Sequence, residues 1–162
     1  MITADDRFFA TRRLILKGAG SVALVGLGNI PFESAFAAAN DKYPEDAFKQ
    51  KGDADAIKSL YGATAEASDK VKLDAPEIAE NGAVVPISVT TTLENVTSIS
   101  FLVSENPNAL AASYKIPEGT MPSVANRLKM QKTSNVIAIV EAGGKLYSAT
   151  KEVKVTVGGC GG

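Results

Sequence analysis

Apolar residues recur with a period of two between residues 71 and 157, and this pattern constrains the fold more than any other feature. Alternation of this kind places one face of an extended strand toward a core and leaves the other face polar. The runs are short and are separated by turn-forming residues, such as Asn-Pro-Asn at 106–108 and Ala-Gly-Gly at 142–144. Closely spaced short strands predict a mainly β fold, an immunoglobulin-like antiparallel β-sandwich of about seven strands across 71–157. The clearest predicted strands are 71–75, 84–91, 96–103, 124–130, 136–140 and 146–157.

Two local signals refine this sandwich. Asn81-Gly82 separates the first two runs, and because Asn-Gly is the strongest short hairpin signal, it predicts a hairpin there. Pro86 lies within the second run and has no backbone N–H to donate to a neighbouring strand. We therefore expect that strand to be an edge strand or to carry a bulge.

The segment 40–70 precedes the sandwich and is predicted to form an N-terminal helix and a linker. Pro44 suits the first turn of a helix, and Gly62 is typical of a residue just past a helix end. Gly52 weakens the middle of this helix, because glycine is a poor helix former. The small and polar residues at 63–70 then predict the linker.

Residues 1–39 have the pattern of an export signal. Arg12 and Arg13 precede a short apolar run at 18–30 that is diluted by glycine, and small residues at 35–39 offer a cleavage site. Adjacent arginines before a weakly apolar run resemble the twin-arginine signals that export folded proteins. We therefore predict that this segment is a twin-arginine signal peptide and that the mature chain is located in the periplasm.

A membrane anchor is the alternative interpretation of this segment. A spanning helix needs about 20 apolar residues, whereas the uncharged stretch between Lys17 and Glu33 is shorter and rich in glycine.

The charges of the chain are nearly balanced, with 17 Lys plus Arg against 18 Asp plus Glu, so no basic field attracts nucleic acid or anionic lipid. We expect neither a membrane nor a nucleic-acid partner.

The chain has no histidine and a single cysteine, Cys160, and this excludes several classes of site. A Ser-His-Asp triad or a Cys-His pair cannot form, and zinc and iron–sulfur sites need more cysteine or histidine ligands. An intramolecular disulfide is equally impossible. We predict no metal and no cofactor, so any sulfur chemistry must take place at Cys160.

Cys160 lies in the run Gly158-Gly159-Cys160-Gly161-Gly162, called here the carrier tail, which follows the last predicted strand. Glycine costs the most entropy to order, so we expect this tail to be flexible. At about 3.3–3.6 Å per extended residue, the thiol can stand about 10 Å from the body and enter another protein's cleft. A cysteine thiolate also forms reversible sulfur adducts. These features indicate a covalent carrier, and an incidental cysteine in a loose terminus is the alternative.

The carrier tail resembles the SoxY family, the sulfur-carrier subunits of the periplasmic thiosulfate-oxidising Sox system. Its position behind a valine-rich strand, together with a twin-arginine signal, makes this resemblance specific. The resemblance also extends across the mature chain in shorter stretches, which are 76–82, 84–86, 106–107, 127–130 and 145–149.

The resemblance implies a carrier that is not itself an enzyme. Members of the family have an immunoglobulin-like fold and form a heterodimer with a SoxZ-like subunit that lacks its own export signal. The cysteine that matches Cys160 holds the intermediates covalently, with Gly158, Gly159, Gly161 and Gly162 as its flexible arm. A c-type cytochrome sulfur transferase attaches thiosulfate, a hydrolase releases sulfate, and in some systems a sulfane dehydrogenase oxidises the remaining sulfur.

Two other functions remain open. Gly161-Gly162 also resembles the ends of ubiquitin-like carriers that hold sulfur as a C-terminal thiocarboxylate. Those carriers need cytosolic adenylating partners and a β-grasp fold, and the predicted export signal argues against both. An exported structural or adhesion domain is the other alternative, but it leaves the carrier tail unexplained.

Three basic residues, Arg127, Lys129 and Lys132, follow one another closely near the predicted fourth strand. They could form a basic patch that meets an anionic sulfur adduct or a partner. The alternative is a solvated strand face, because isolated surface charges are common.

Overall fold

The computed structural model describes residues 43–157 and has the mainly β fold predicted from the sequence. Two short helices precede nine strands. Within this range, no helix has the length and apolar character needed to cross a bilayer. The helices are α1 (Glu45–Phe48) and α2 (Asp53–Tyr61); the strands are β1 (Glu66–Ala67), β2 (Val71–Asp74), β3 (Ile78–Asn81), β4 (Val85–Thr91), β5 (Val96–Val103), β6 (Leu110–Lys115), β7 (Ser123–Leu128), β8 (Ser134–Ala142) and β9 (Lys145–Val157).

The strands form two sheets that enclose an apolar core. The larger sheet has six strands, in the order β1-β9-β8-β5-β6 with β3 also paired to β9, and the smaller sheet has the order β2-β4-β7. Phe101 of β5 and Val140 of β8 pack in this core together with Val89 of β4, and all three are fully buried. The prediction of a β-sandwich is therefore confirmed, with nine strands instead of about seven.

The helices form a second apolar cluster against the six-stranded sheet. Ala47 of α1 and Ala56 of α2 are buried against Leu102 of β5 and Ile139 of β8. Because adjacent residues of a strand point to opposite faces, Leu102 lies in this second cluster while Phe101 lies in the core between the sheets. Both faces of β5 are thus covered, and this explains why its last six residues are all buried.

The single helix predicted between Pro44 and Gly62 is divided into two. The interruption occurs at Gly52, which precedes α2 in an extended conformation with φ −95° and ψ 143°. The predicted end of the helix is confirmed, since Gly62 has φ 71° and donates its N–H to the carbonyl of Lys58 at 2.8 Å. A left-handed residue at this position is the usual way for a helix to end.

Two strand pairs differ from the antiparallel prediction. β1 pairs in parallel with β9 through Glu66 and Tyr147, and β3 does so through Ile78 and Lys154. β1 lies within 63–70, the segment predicted to be a linker. Strands of two and four residues can pair with backbone groups along an existing edge without an alternating pattern of their own.

The prediction of a hairpin at Asn81-Gly82 is wrong. β2 and β4 do pair in antiparallel fashion, but the chain between them first forms β3 in the other sheet. Asn81-Gly82 therefore leads from one sheet to the other, in a turn where the Asn81 Oδ1 accepts the Ala83 N–H at 2.8 Å. A two-residue glycine hairpin does occur between β8 and β9, where Gly143 and Gly144 have φ values of 57° and 76°.

The prediction that Pro86 lies in an edge strand or at a bulge is also wrong, although its physical reason holds locally. β4 lies between β2 and β7 in the smaller sheet. β2, however, extends only as far as the pair of Asp74 with Ser88, so at Pro86 the strand faces Arg127 of β7 on one side alone. The missing N–H of proline is tolerated because β2 does not reach this position.

Candidate functional site

The carrier tail and the export signal lie outside the residues that the structure describes, so the roles assigned to them stay predictions. The structure describes the strand that leads into the tail and the residues around the end of that strand. The predicted site residues outside the described range are Cys160, Gly158, Gly159, Gly161, Gly162, Arg12 and Arg13.

β9 carries the chain to the carrier tail and is held by hydrogen bonds as far as its last residue. It is 13 residues long and ends at Val157, whose carbonyl accepts the N–H of Gly82 at 2.8 Å. One residue earlier, the Thr156 hydroxyl donates to the carbonyl of Glu80 at 3.0 Å. The Thr133 hydroxyl in turn accepts the N–H of Val155 at 3.0 Å. The carrier tail therefore follows a strand end that is anchored to the body.

A second hydrogen bond connects this strand end to the chain that follows β7. Gly82 donates to Val157 and accepts the N–H of Met130 through its own carbonyl, at 2.7 Å. Gly82 and Met130 are both buried. We call Asn81, Gly82, Met130 and Val157 the tail root, because they join three separate parts of the chain where the tail begins. Sequence reasoning did not identify this arrangement, because its contacts are made by backbone groups.

Apolar side chains are exposed near the tail root. Val157 is 63% exposed and Val84, two residues after Gly82, is 54% exposed. Ile78, at the start of β3, is 59% exposed.

The three basic residues singled out in the sequence do not share one environment. The Lys132 ammonium forms an exposed ion pair with Glu105 at 2.7 Å. Arg127 and Lys129 are also exposed, but neither side chain makes a hydrogen bond or ion pair with another residue in the range 43–157. The interpretation of a single basic patch therefore fails for Lys132, whose charge is offset by a carboxylate.

A metal site has no support in the described part of the chain. Among residues 43–157, no group of three or more His, Cys, Asp and Glu side chains could hold a metal ion. The ion pair of Glu45 with Lys49 at 2.6 Å is exposed on both sides.

A polar network beneath α2 is the other feature that sequence reasoning missed. The Tyr61 hydroxyl lies 2.7 Å from Ser100 Oγ and 3.0 Å from Ser98 Oγ, and Ser98 also donates to Glu141 at 2.9 Å. Burial raises the pKa of Tyr61, while its serine partners partly oppose this shift. Two serines at alternate positions of an apolar strand were the available signal, because both must point to the same face.

The comparisons with known proteins agree with the fold and with the resemblance. The family model described as sulfur oxidation protein SoxY matches residues 57–160. No curated protein matches the chain. Among solved structures, the sulfur carrier protein SoxY from Chlorobium limicola f thiosulfatophilum is 42% identical, with a TM-score of 0.58, and the match covers 64% of this chain and 94% of that one.

A more distant likeness is found to the superoxide reductase (neelaredoxin) from Ignicoccus hospitalis. It is 21% identical, with a TM-score of 0.48, and the match covers 53% of this chain and 80% of that one. The SoxY family model, in contrast, spans well over half of the sequence. The chain therefore belongs to the SoxY family of sulfur oxidation proteins.

Proposed function

We propose that this protein is a sulfur carrier that holds intermediates of thiosulfate oxidation covalently on Cys160 and presents them to partner enzymes. The observation that carries the proposal is the extent of the family match, which runs to residue 160 and so includes the single cysteine of the chain. The related structure from Chlorobium limicola is itself described as a sulfur carrier protein. A carrier is acted upon by enzymes and needs no catalytic group of its own.

The chemistry at Cys160 would proceed in two steps. The thiolate and the outer sulfur of thiosulfate form an S–S bond, and the two electrons that this oxidation releases pass to a c-type cytochrome transferase. The product is a thiosulfonate, Cys–S–S–SO₃⁻. A hydrolase then adds water across the outer S–S bond, which releases sulfate and leaves a persulfide on the cysteine. A sulfane dehydrogenase would oxidise that remaining sulfur in systems that contain one.

The tail root supports this division between a fixed body and a presented cysteine. Val157 is tied to Gly82, and Gly82 is tied to Met130, so the point from which the tail continues is set by buried backbone contacts. Cys160 lies three residues beyond this point, with glycines on both sides. Since glycine has no side chain, the residues around the thiol would not obstruct entry into a narrow active site.

We further propose that the protein works as a heterodimer with a SoxZ-like subunit. β2 and β7 are the outer strands of the smaller sheet, and β6 is an outer strand of the larger one. Within the described residues, each of these strands pairs on one side alone. A partner that covered such an edge would satisfy its backbone groups and protect it from non-specific pairing. Recovery of a stable, soluble monomer after co-expression with that subunit would contradict this proposal.

We also propose export to the periplasm by the twin-arginine route. Replacement of Arg12 and Arg13 by lysine should leave the precursor in the cytoplasm, and a subunit without its own signal should be lost from the periplasm in the same strain. Cell fractionation and immunoblotting of both subunits measure this. Normal export of the double variant would rule out the route.

The central experiment is mass spectrometry of the mature protein after exposure to thiosulfate and the transferase. The peptide that contains Cys160 should gain a thiosulfonate or additional sulfur, and a thiol reductant should remove this mass. The Cys160→Ser variant is the matched control. It should lose the adduct while it keeps its folded structure and its second subunit, because the substitution lies outside the described core.

Two outcomes would contradict the assignment. An adduct that persists in Cys160→Ser would place the sulfur on another group. Sulfur found on the carboxylate of Gly162 would favour the thiocarboxylate carrier instead.

A further inference from the structure

A groove lies along one side of the sandwich, between the outer strand of each sheet. It has a volume of about 380 Å³ and is lined by β6 on one side and by the end of β7 on the other. We call it the edge groove. The lining residues that matter for its chemistry are Asn106, Leu110, Asn126, Arg127 and Lys129.

The two strands of the edge groove each have an unpaired side. β6 pairs with β5 and β7 pairs with β4, and no other described strand is hydrogen-bonded to either of them. Part of the backbone N–H and C=O groups of each strand therefore points away from its own sheet. The edge of β6 can bind an extended peptide by adding it as a further strand. On the β7 side, the Arg127 N–H already donates to the Asn126 Oδ1 at 2.7 Å, and the carbonyl of Lys129 accepts from the Asn106 side chain.

Specific hydrogen bonds build the end of the edge groove. The Asn106 side chain donates through Nδ2 to the carbonyl of Lys129 at 2.8 Å, and its Oδ1 accepts the N–H of Gln131 at 3.1 Å. One amide thereby fastens the loop before β6 to the chain that follows β7. This contact fixes the shape of the groove, although Asn106 and Lys129 are 23 residues apart in the sequence.

The charge of the edge groove is positive and is not neutralised locally. Arg127 and Lys129 line it, and no Asp or Glu does. Neither cation is paired within the range 43–157, whereas Lys132, which does not line the groove, is paired with Glu105 at 2.7 Å. Two unpaired cations in one groove favour a negatively charged occupant.

The edge groove is close to the tail root. Lys129 is followed directly by Met130, whose N–H donates to Gly82 at 2.7 Å, and the N–H of Gly82 donates to Val157 at 2.8 Å. The groove is therefore two backbone hydrogen bonds away from the last residue before the carrier tail. A protein segment that occupies the groove would lie beside the point from which the tail continues.

We propose that the edge groove binds an extended, acidic segment of the enzymes that react with the carrier tail. This inference rests on the proposed function, and it adds to it the surface and the charge that recruit those enzymes. The outer edge of β6 favours an extended segment, the two cations favour an acidic one, and the neighbouring tail root favours a protein that takes up the tail. Attraction of this kind acts mainly on the association rate.

The test is a charge reversal in the mature protein with its co-purified subunit. Arg127→Glu combined with Lys129→Glu should lower kcat/KM of the c-type cytochrome transferase about tenfold or more at low ionic strength. The difference in kcat/KM between the wild type and the double variant should decrease as salt is added, because screening weakens the attraction in the wild type. Lys132→Glu is the matched control and should retain a rate close to that of the wild type. Equal rates for the double variant and the wild type would overturn the proposal.

A second measurement separates this proposal from the function proposed for Cys160. In a Cys160→Ser background, which cannot form an adduct, the affinity for the transferase should still fall about tenfold or more after the charge reversal. An unchanged affinity would contradict the binding role proposed for the edge groove and would leave the proposed carrier function intact. Loss of the co-purified subunit from the double variant would also contradict this role, because the subunit, and not an enzyme, would then occupy the edge groove. Unchanged thermal unfolding of the double variant shows that its fold is intact.

Discussion

The phenolic oxygen of Tyr61, the last residue of α2, lies 2.7 Å from the Oγ of Ser100 in β5. This contact fastens the end of a short helix to an inner strand of the larger sheet. Ser100 is fully buried and also bonds to Ser113 of β6 at 2.9 Å. The network therefore connects α2 with two strands and complements the apolar contacts of Ala56.

Tyr61→Phe is predicted to destabilise the protein by about 1–2 kcal/mol, because the buried hydroxyls of Ser98 and Ser100 lose a partner. Urea unfolding at neutral pH measures this. Tyr114→Phe is a suitable control, since the Tyr114 ring packs edge-on against Phe101 and would remain in place. Equal stabilities of the two variants would contradict the role given to the network.

Stability is predicted to fall as the pH rises above about 10, partly because of Tyr61. Burial raises the pKa of this phenol above its ordinary value of 10.0, so the unfolded chain loses its proton before the folded chain does. The stability that Tyr61 contributes through this shift is fully present below its ordinary pKa and is lost as the pH rises through the pKa of the folded state. Unfolding curves at pH 8 and pH 11 should show a smaller decrease in Tyr61→Phe than in the wild type. An equal decrease would assign the effect to other groups.

Phe101→Ala is predicted to cost about 3–5 kcal/mol, the usual range for removing a buried aromatic ring. Phe101 is 0% exposed and lies in the core between the two sheets. Met121→Ala provides the contrast, because Met121 is 83% exposed and should change stability by less than about 0.5 kcal/mol. Thermal unfolding of the two variants side by side measures the difference. A small effect at Phe101 would mean that the core repacks around the cavity.

Gly144→Ala is predicted to destabilise the β8–β9 hairpin by about 1–2 kcal/mol, because the residue has φ 76°. No atom would obstruct an added Cβ, so the cost comes from the backbone conformation alone. Gly144→Asn should cost less, since asparagine tolerates the left-handed region better. Chemical denaturation of both variants tests this order. A reversed order would show that the turn changes its type.

Bulky residues at Gly159 or Gly161 are predicted to slow turnover by the partner enzymes without changing the chemistry of the thiol. The reason is steric, because a side chain beside Cys160 must enter the same active-site cleft. Alkylation by iodoacetamide and turnover by the transferase measure the two properties separately. Normal turnover of a Gly159→Leu variant would show that access is not limited by these positions.

The sequence by itself determined the elements whose side chains are sorted between a core and a surface. β5, β8 and β9 follow from alternating or continuous apolar runs, and the end of α2 follows from Gly62. The strand β3 could not be recognised in this way, since Ile78 is 59% exposed while the neighbouring Ala79 is buried. Its pairing with β9 depends on the position of a sheet edge that is distant in the sequence.

The candidate site also has one part that the sequence determined and another that only the tertiary structure decided. The carrier tail was apparent from composition, because a single cysteine among glycines is a local feature. The tail root and the edge groove were decided by the tertiary structure, which brings Gly82, Met130 and Val157 together. The contacts of the tail root are hydrogen bonds between backbone groups, and every residue other than proline carries the same backbone donor and acceptor. Such contacts leave no pattern in the order of side chains, so only the folded chain reveals them.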